Sequence, residues 1–236
     1  VEVVELMPVR FFRRDKTRID LRNHRKIAVI DGRIGHLGSQ NIVAPDFVPG
    51  FPNEELVLRV TGPIVAELQA LFLADRLAET HQPVVHPSHF GTGELTGPVF
   101  AQLVPSSPAY RQQVTQTLLV WLIHQARHRV VITTPYFVPD EPFLAALRTA
   151  VERGVDVRLV VSKHSNQLLT NLAQKSYYTE LLEAGVKVYL YRPRFLHAKH
   201  VLFDERTAFV GSSNIDIRSF ALNAEASLLL HDPEIA

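Results

Sequence analysis

The chain has no cysteine, one methionine and one tryptophan among its 236 residues. The first absence excludes disulfides and thiolate metal sites, and it suits a reducing compartment. No apolar run approaches the ~18 residues from which a membrane-spanning helix is read. The best candidate, Val65 to Leu77, is interrupted by Glu67, Gln69, Asp75 and Arg76 and predicts an amphipathic helix. An excess of charge is missing too, with 25 Lys and Arg against 24 Asp and Glu. The net charge of +1 gives no argument for bulk nucleic-acid binding. The opening Val1-Glu2-Val3-Val4 does not read as a signal peptide.

What is present is a globular composition, 46% hydrophobic and 21% charged, with length for one large domain or two small ones. Within it one phrase occurs twice. The first copy runs from His24 and Lys26 through Asp31 to Gly38-Ser39-Gln40-Asn41, the second from His197 and Lys199 through Asp204 to Gly211-Ser212-Ser213-Asn214. The internal spacing is the same in both. A single His-x-Lys on a strand is most often a solvated edge, but two copies in register are not an accident of composition.

The residue types fit phosphodiester transfer. Residues two apart on a strand share a face, so each His and its Lys are expected to project into one cleft. A phosphodiester is anionic and repels nucleophiles; two lysines neutralise it, and preorganised donors hold the charge that spreads in the transition state. The Gly-Ser-x-Asn turns offer a hydroxyl, an amide and close backbone approach. Histidine titrates near neutrality, so one imidazole can attack phosphorus while the other handles the proton of the leaving and incoming alcohols. The scheme requires no metal. Asp31 and Asp204 belong to the phrase and join the catalytic candidates, although a strand-end position favours a turn or salt-bridge role.

The repeat also organises the chain. Upstream of the second phrase lies an α/β unit: a helix near 110–128, a strand from Val130 to Thr134, and a helix near 141–153. A strand from Val155 to Ser162, a helix near 168–184 and the run Gly185 to Leu190 complete it. Val1 to Leu6 matches the last of these, and the unit itself has no counterpart in the first half. Downstream, Glu55 to Pro63 matches Glu225 to Pro233, and a helix near 64–80 follows only the first. This predicts a piece of a longer protein cut at both ends. Residues 1–80 would be the later part of a first domain and 109–236 a second domain lacking its last helix. Residues 81–108, crowded with Pro and Gly, would be a surface linker. The alternation of strands and helices indicates an α/β class. Two similar halves would face each other across a pseudo-twofold cleft.

The doubled phrase is the signature of the phospholipase D superfamily, which the chain resembles over nearly its whole length. Arg22 to Lys26, Thr134 to Glu141, Ser176-Tyr177-Tyr178 with Leu181 to Val186, and above all Asn214 to Glu225 are similar to bacterial cardiolipin synthases of the phospholipase D type. The resemblance implies a duplicated α/β sandwich with the first half incomplete. It implies transfer of a phosphatidyl group from one phosphatidylglycerol to a hydroxyl of another, through a phosphohistidine, with no metal or other cofactor. His24 and His197 would be nucleophile and general acid-base, His24 being favoured as nucleophile. Lys26, Lys199, Asn41 and Asn214 would bind phosphoryl oxygens, with Ser39 and Ser212 in support. Glu55 and Glu225 would be the downstream acids that orient each imidazole and raise its pKa. The partner is then a phospholipid at the bacterial cytoplasmic membrane, where this chain would be peripheral, and nucleic acid is not expected.

Val57 replaces a usual His, Glu55 a common Asp, Arg76 a frequent Trp and Asn166 a common Asp, which bear on acceptor choice and not on the His-Lys pairs. Two other readings stay open: a hydrolytic phospholipase or nuclease of the same superfamily, and a non-catalytic remnant that binds phospholipid. A basic stretch from Arg10 to Lys26, with Phe11-Phe12 inside it, offers a bilayer contact or a solvated loop. His124 and His128, four apart on a helix, are read as surface residues.

Overall fold

The computed structural model describes residues 2–7, 20–110 and 113–236. Arg10 to Arg18 and Phe11-Phe12 therefore lie outside the described residues, as does Val1. In chain order the elements begin with β1 Arg22–Asn23, β2 Ile27–Ile30, β3 Ile34–Gly38, β4 Asn53–Glu54, β5 Val57–Thr61 and α1 Ile64–Thr80. They continue with β6 Phe100–Ser106, α2 Val114–Gln125, β7 Arg129–Thr134, β8 Phe137–Val138, α3 Glu141–Glu152 and β9 Asp156–Ser162. Then follow α4 Leu168–Ser176, α5 Tyr178–Glu183, β10 Lys187–Tyr191, β11 Phe195–Leu196 and β12 His200–Phe203. The last are β13 Thr207–Gly211, β14 Ile215–Asp216, α6 Ile217–Ala221 and β15 Asn223–His231.

The two copies of the phrase build the same hairpin. Strands β2 and β3 pair antiparallel, as do β12 and β13. Each connection puts two successive residues at positive φ, Asp31 with Gly32 and Asp204 with Glu205. The backbone closes from Arg33 N to Ile30 O and from Arg206 N to Phe203 O. That is the primed turn whose twist matches a hairpin, and Asp tolerates the left-handed region better than most residues.

The surroundings of the hairpins differ. The first extends only to β5, in a three-stranded sheet. The second is central to an eight-stranded sheet, ordered β15-β13-β12-β7-β9-β10, with β1 and β6 both on β15. Helices α2 and α3 cover one face of this sheet, burying Leu119, Ile123, Phe143 and Leu147 against Val130, Ile132, Val157 and Leu159. The first-half sheet and α1 cover the other. Leu37, Val65, Leu68 and Leu71 there meet Val210, Ala226, Leu228 and Leu230. This interface joins the two halves, and β15, buried at every position from Asn223 to Leu230, is its floor.

The structure departs from the sequence reading in three places. Residues 100–106, expected within a linker, form β6 and pair with β15 over seven residues. The Pro105 that disguised it is tolerated because β6 pairs on that one side, as an edge strand. The helix expected near 168–184 is two, α4 and α5, meeting at Tyr177. Residues 2–6 form no strand, although their match at Lys187–Tyr191 does. Among the described residues no helix is long and apolar enough to cross a membrane.

Asp204 anchors the second hairpin. Its carboxylate accepts from the backbone N–H groups of Arg127, His128 and Arg129 at 2.7–2.9 Å, and these hold its pKa below the ordinary value although burial opposes them. A carboxyl depressed in this way stabilises the fold above its unfolded pKa, and the contribution is lost as pH falls through the folded value. Asp204→Ala should therefore cost about 1–3 kcal/mol of unfolding free energy at neutral pH. Urea titrations at pH 7 and pH 3 should show the deficit shrinking on acidification.

Candidate active site

The His-x-Lys triplets lie in the three-residue passages between β1 and β2 and between β11 and β12, and not within strands. Each passage is held by the opposite half. Strand β1 pairs in parallel with the start of β15, and His24 N donates to Ala224 O at 2.8 Å. Strand β11 pairs in parallel with β4, and His197 N donates to Glu54 O at 2.8 Å. A local extended segment is thereby docked on the chain that carries the other copy's glutamate.

The side chains follow the same crossing. His24 Nδ1 lies 2.9 Å from both carboxylate oxygens of Glu225, and His197 Nδ1 lies 2.8 Å from both of Glu55. A carboxylate only accepts, so Nδ1 carries the proton in each ring and Nε2 is left to face the cleft. The glutamates are themselves fixed. Ser39 Oγ donates to Glu55 at 2.5 Å and Ser212 Oγ to Glu225 at 2.6 Å. Asn53 and Asn223 donate through Nδ2 to the same carboxylates at 3.3 and 3.2 Å. Gly38 and Gly211 allow this closeness, because a Cβ there would sit 2.2 Å from Leu56 O and from Ser227 Oγ. Lys26 Nζ and Lys199 Nζ donate to the carbonyls of His24 and His197 at 2.7 and 2.5 Å.

Electrostatics separates the near-equivalent groups. Burial pushes Lys199 down to about 7, with Lys26 adding to the shift, and pushes Lys26 down to about 8 against the pull of Glu225 and Glu55. Burial also takes His197 down to about 4; the Glu55 hydrogen bond opposes it and Lys199 reinforces it. Glu55 raises this histidine's pKa, as expected, but the net shift is downward, because a 6% exposed imidazole beside two ammonium groups loses more than Glu55 returns. Glu55 is held below the carboxylate range by His197 and Ser39, against burial. His24 is the more open ring, 28% exposed.

Both histidines line one cleft of about 840 Å³, together with Asn41, Asn214, Phe47, Tyr136 and Asp216. Phe47 stands edge-on to His197, with ring centroids 5.1 Å apart. The sequence reading is corrected for several residues. Ser39 and Ser212, assigned to phosphate, spend their hydroxyls on the glutamates. Asp31 and Asp204, placed among catalytic candidates, sit in the hairpin turns beyond the far ends of β2 and β12, outside the cleft lining. Each glutamate serves the histidine of the other copy and not its own. Lys26 borders a neighbouring hollow, and Lys199 is buried with its ammonium on the His197 carbonyl.

Sequence reasoning missed Asn53, Asn223, Phe47 and Arg25. The two asparagines had a signal, since Asn-x-Glu stands at 53–55 and again at 223–225. Arg25 had one too, lying within the Arg-Asn-His-Arg-Lys run. Its guanidinium donates to Glu225 O at 3.1 Å and Ser106 O at 2.8 Å, and pairs with Asp75. His124 and His128 are exposed, as read, but α2 ends at Gln125 and His128 lies beyond it, so the two do not share a helix. Among the described residues no group of His, Asp and Glu is arranged to hold a metal ion.

A family model described as cardiolipin synthase, PLD-like domain, matches residues 119–236. A solved phosphatidylserine synthase from Haemophilus influenzae shares the fold, with a TM-score of 0.68 at 18% identity over 92% of this chain and 60% of that one. The chain belongs to the cardiolipin synthase PLD-like family of the phospholipase D superfamily. It is 36% identical to cardiolipin synthase A of Pectobacterium carotovorum subsp. carotovorum and 35% identical to that of Yersinia pestis bv. Antiqua, over 98% of this chain in each case. The chain spans 49% of the length of either relative.

The lysines give the empty site a pH signature. A lysine whose folded pKa is depressed costs stability wherever the unfolded chain holds the proton more tightly. Stability should rise with pH across the window from about 7 to 10.5. Denaturant titrations of Lys199→Met should show a flatter rise over that window than the parent chain, while an unchanged slope would mean that Lys199 is not charged and buried.

Proposed function

We propose that the chain carries the active site of a phosphatidyltransferase that makes cardiolipin from phosphatidylglycerol, without a metal, at the surface of the bacterial cytoplasmic membrane. The observation that carries the reading is the symmetric pair of imidazoles, each with Nδ1 held by a carboxylate of the other half, on one cleft. Family membership supplies the substrate class, and the half-length coverage makes the activity of this chain a question for experiment.

Nε2 of His24 attacks phosphorus, the bond to the glycerol headgroup breaks, and His197 gives its proton to the departing glycerol oxygen. A terminal hydroxyl of a second phosphatidylglycerol then loses its proton to His197 and attacks phosphorus. The P–N bond breaks and cardiolipin leaves. With its pKa lowered to about 4, His197 is neutral at neutral pH. A bound phosphodiester anion offsets the two ammonium charges and so draws a proton onto His197, arming it as the acid. Asn41 and Asn214, on the cleft wall, are the side chains best placed to hold the phosphoryl oxygens.

The test uses labelled phosphatidylglycerol vesicles with EDTA present. Cardiolipin with released glycerol, and acid-labile label on the protein, is the expected result. Phosphatidic acid alone would mean a hydrolase instead. His24→Ala and His197→Ala should each lower transfer by about 10³-fold or more, and only His197→Ala should still trap label. Full activity in either single variant would contradict the two-histidine scheme.

A further inference from the structure

Helix α4 is inverted for a surface helix. Its one buried side chain is Gln174, which accepts from Phe137 N at 2.9 Å and donates to Tyr178 Oη at 2.7 Å. Leu168, Leu169 and Leu172 are instead 73%, 81% and 55% exposed. Spacings of three and four put these leucines side by side on the helix. Single exposed apolar residues are ordinary, but a cluster beside a ligand cleft marks an interaction surface.

Three observations say what covers it. Leu169 lines the same cleft as His24 and His197, and so does Ile217, itself half exposed at the start of α6. The stretch from Lys163 to Thr179 contains no Asp or Glu, while Lys163, ahead of α4, and Lys175, in its last turn, stand exposed. The cleft volume is that of a small-molecule site, sufficient for a phosphoglycerol headgroup and not for acyl chains. Chains attached to a headgroup in this cleft must leave across its rim.

We propose that α4 and Ile217 form the face on which the protein rests against an anionic bilayer. The leucines sit at headgroup depth, the lysines meet lipid phosphates, and the acyl chains of the bound lipid run over Leu169 and Ile217 into the membrane. The assignment rests on the reading of the cleft as a phospholipid site, and it names the surface by which that lipid is reached.

Trp121 is the only tryptophan and stands on α2, so it can be moved. In the full chain carrying Trp121→Phe and Leu172→Trp, emission should shift to the blue with phosphatidylglycerol vesicles and stay unshifted with phosphatidylcholine vesicles. In a flotation assay, Leu168→Ser with Leu172→Ser should raise the lipid needed for half-maximal binding by about ten-fold or more. Both leucines are exposed, and unchanged denaturation midpoints check that the variant folds. A parent chain that shows no turnover and still floats through α4 would overturn the transferase reading and leave the surface standing. No shift with either vesicle, an equal shift with both, or undiminished flotation of the double-serine variant would overturn the surface. Leucine-dependent self-association in its place would assign α4 to a protein contact.

Discussion

The site depends on two carboxylates, Glu225 buried and Glu55 half-buried, that cross between the halves. Glu55 serves the second histidine and Glu225 the first, so neither copy of the phrase is complete without the other. The crossing is enforced by backbone as much as by side chains. Two short parallel pairings, β1 with β15 and β4 with β11, bring each His-x-Lys passage alongside the opposite glutamate. Two serines, two asparagines and two glycines then fix the carboxylates so that each imidazole has one available tautomer. Partnered carboxylates in a dry interface are costly to uncover, which ties the packing of the halves to the chemistry of the cleft.

The same burial opposes the charges it organises. Two lysines, two glutamates and two histidines share a small volume, and burial there lowers the proton affinity of both lysines and of His197. Stability is given up locally in return for preorganised charge.

Much of this was legible in the sequence because the chain repeats itself. The doubled phrase marks the strands β2 and β12, the α/β unit upstream of Val186 follows from periodicity, and the family resemblance singles out His24, His197, Glu55 and Glu225. What escaped depends on contacts between distant segments. Strand β6 was hidden by Pro105, whose fault as a strand residue vanishes at a sheet edge. Ser39 and Ser212 read as phosphate donors because a hydroxyl beside an asparagine suits that task; only the structure brings a glutamate to within 2.6 Å of each. The crossed pairing is invisible in one dimension, where each glutamate looks like the partner of the histidine upstream of it. The depressed pKa of His197 follows from burial, which the spacing of residues does not report.

The crossing is tested most directly by a pair of double-mutant cycles on unfolding free energy. One combines His24→Ala with Glu225→Gln, the other His24→Ala with Glu55→Gln. The structure predicts a coupling on the order of 1 kcal/mol or more in the first cycle and a value within about 0.5 kcal/mol of additivity in the second. Equal couplings, or the larger one between His24 and Glu55, would contradict the crossed site and return each glutamate to its own half.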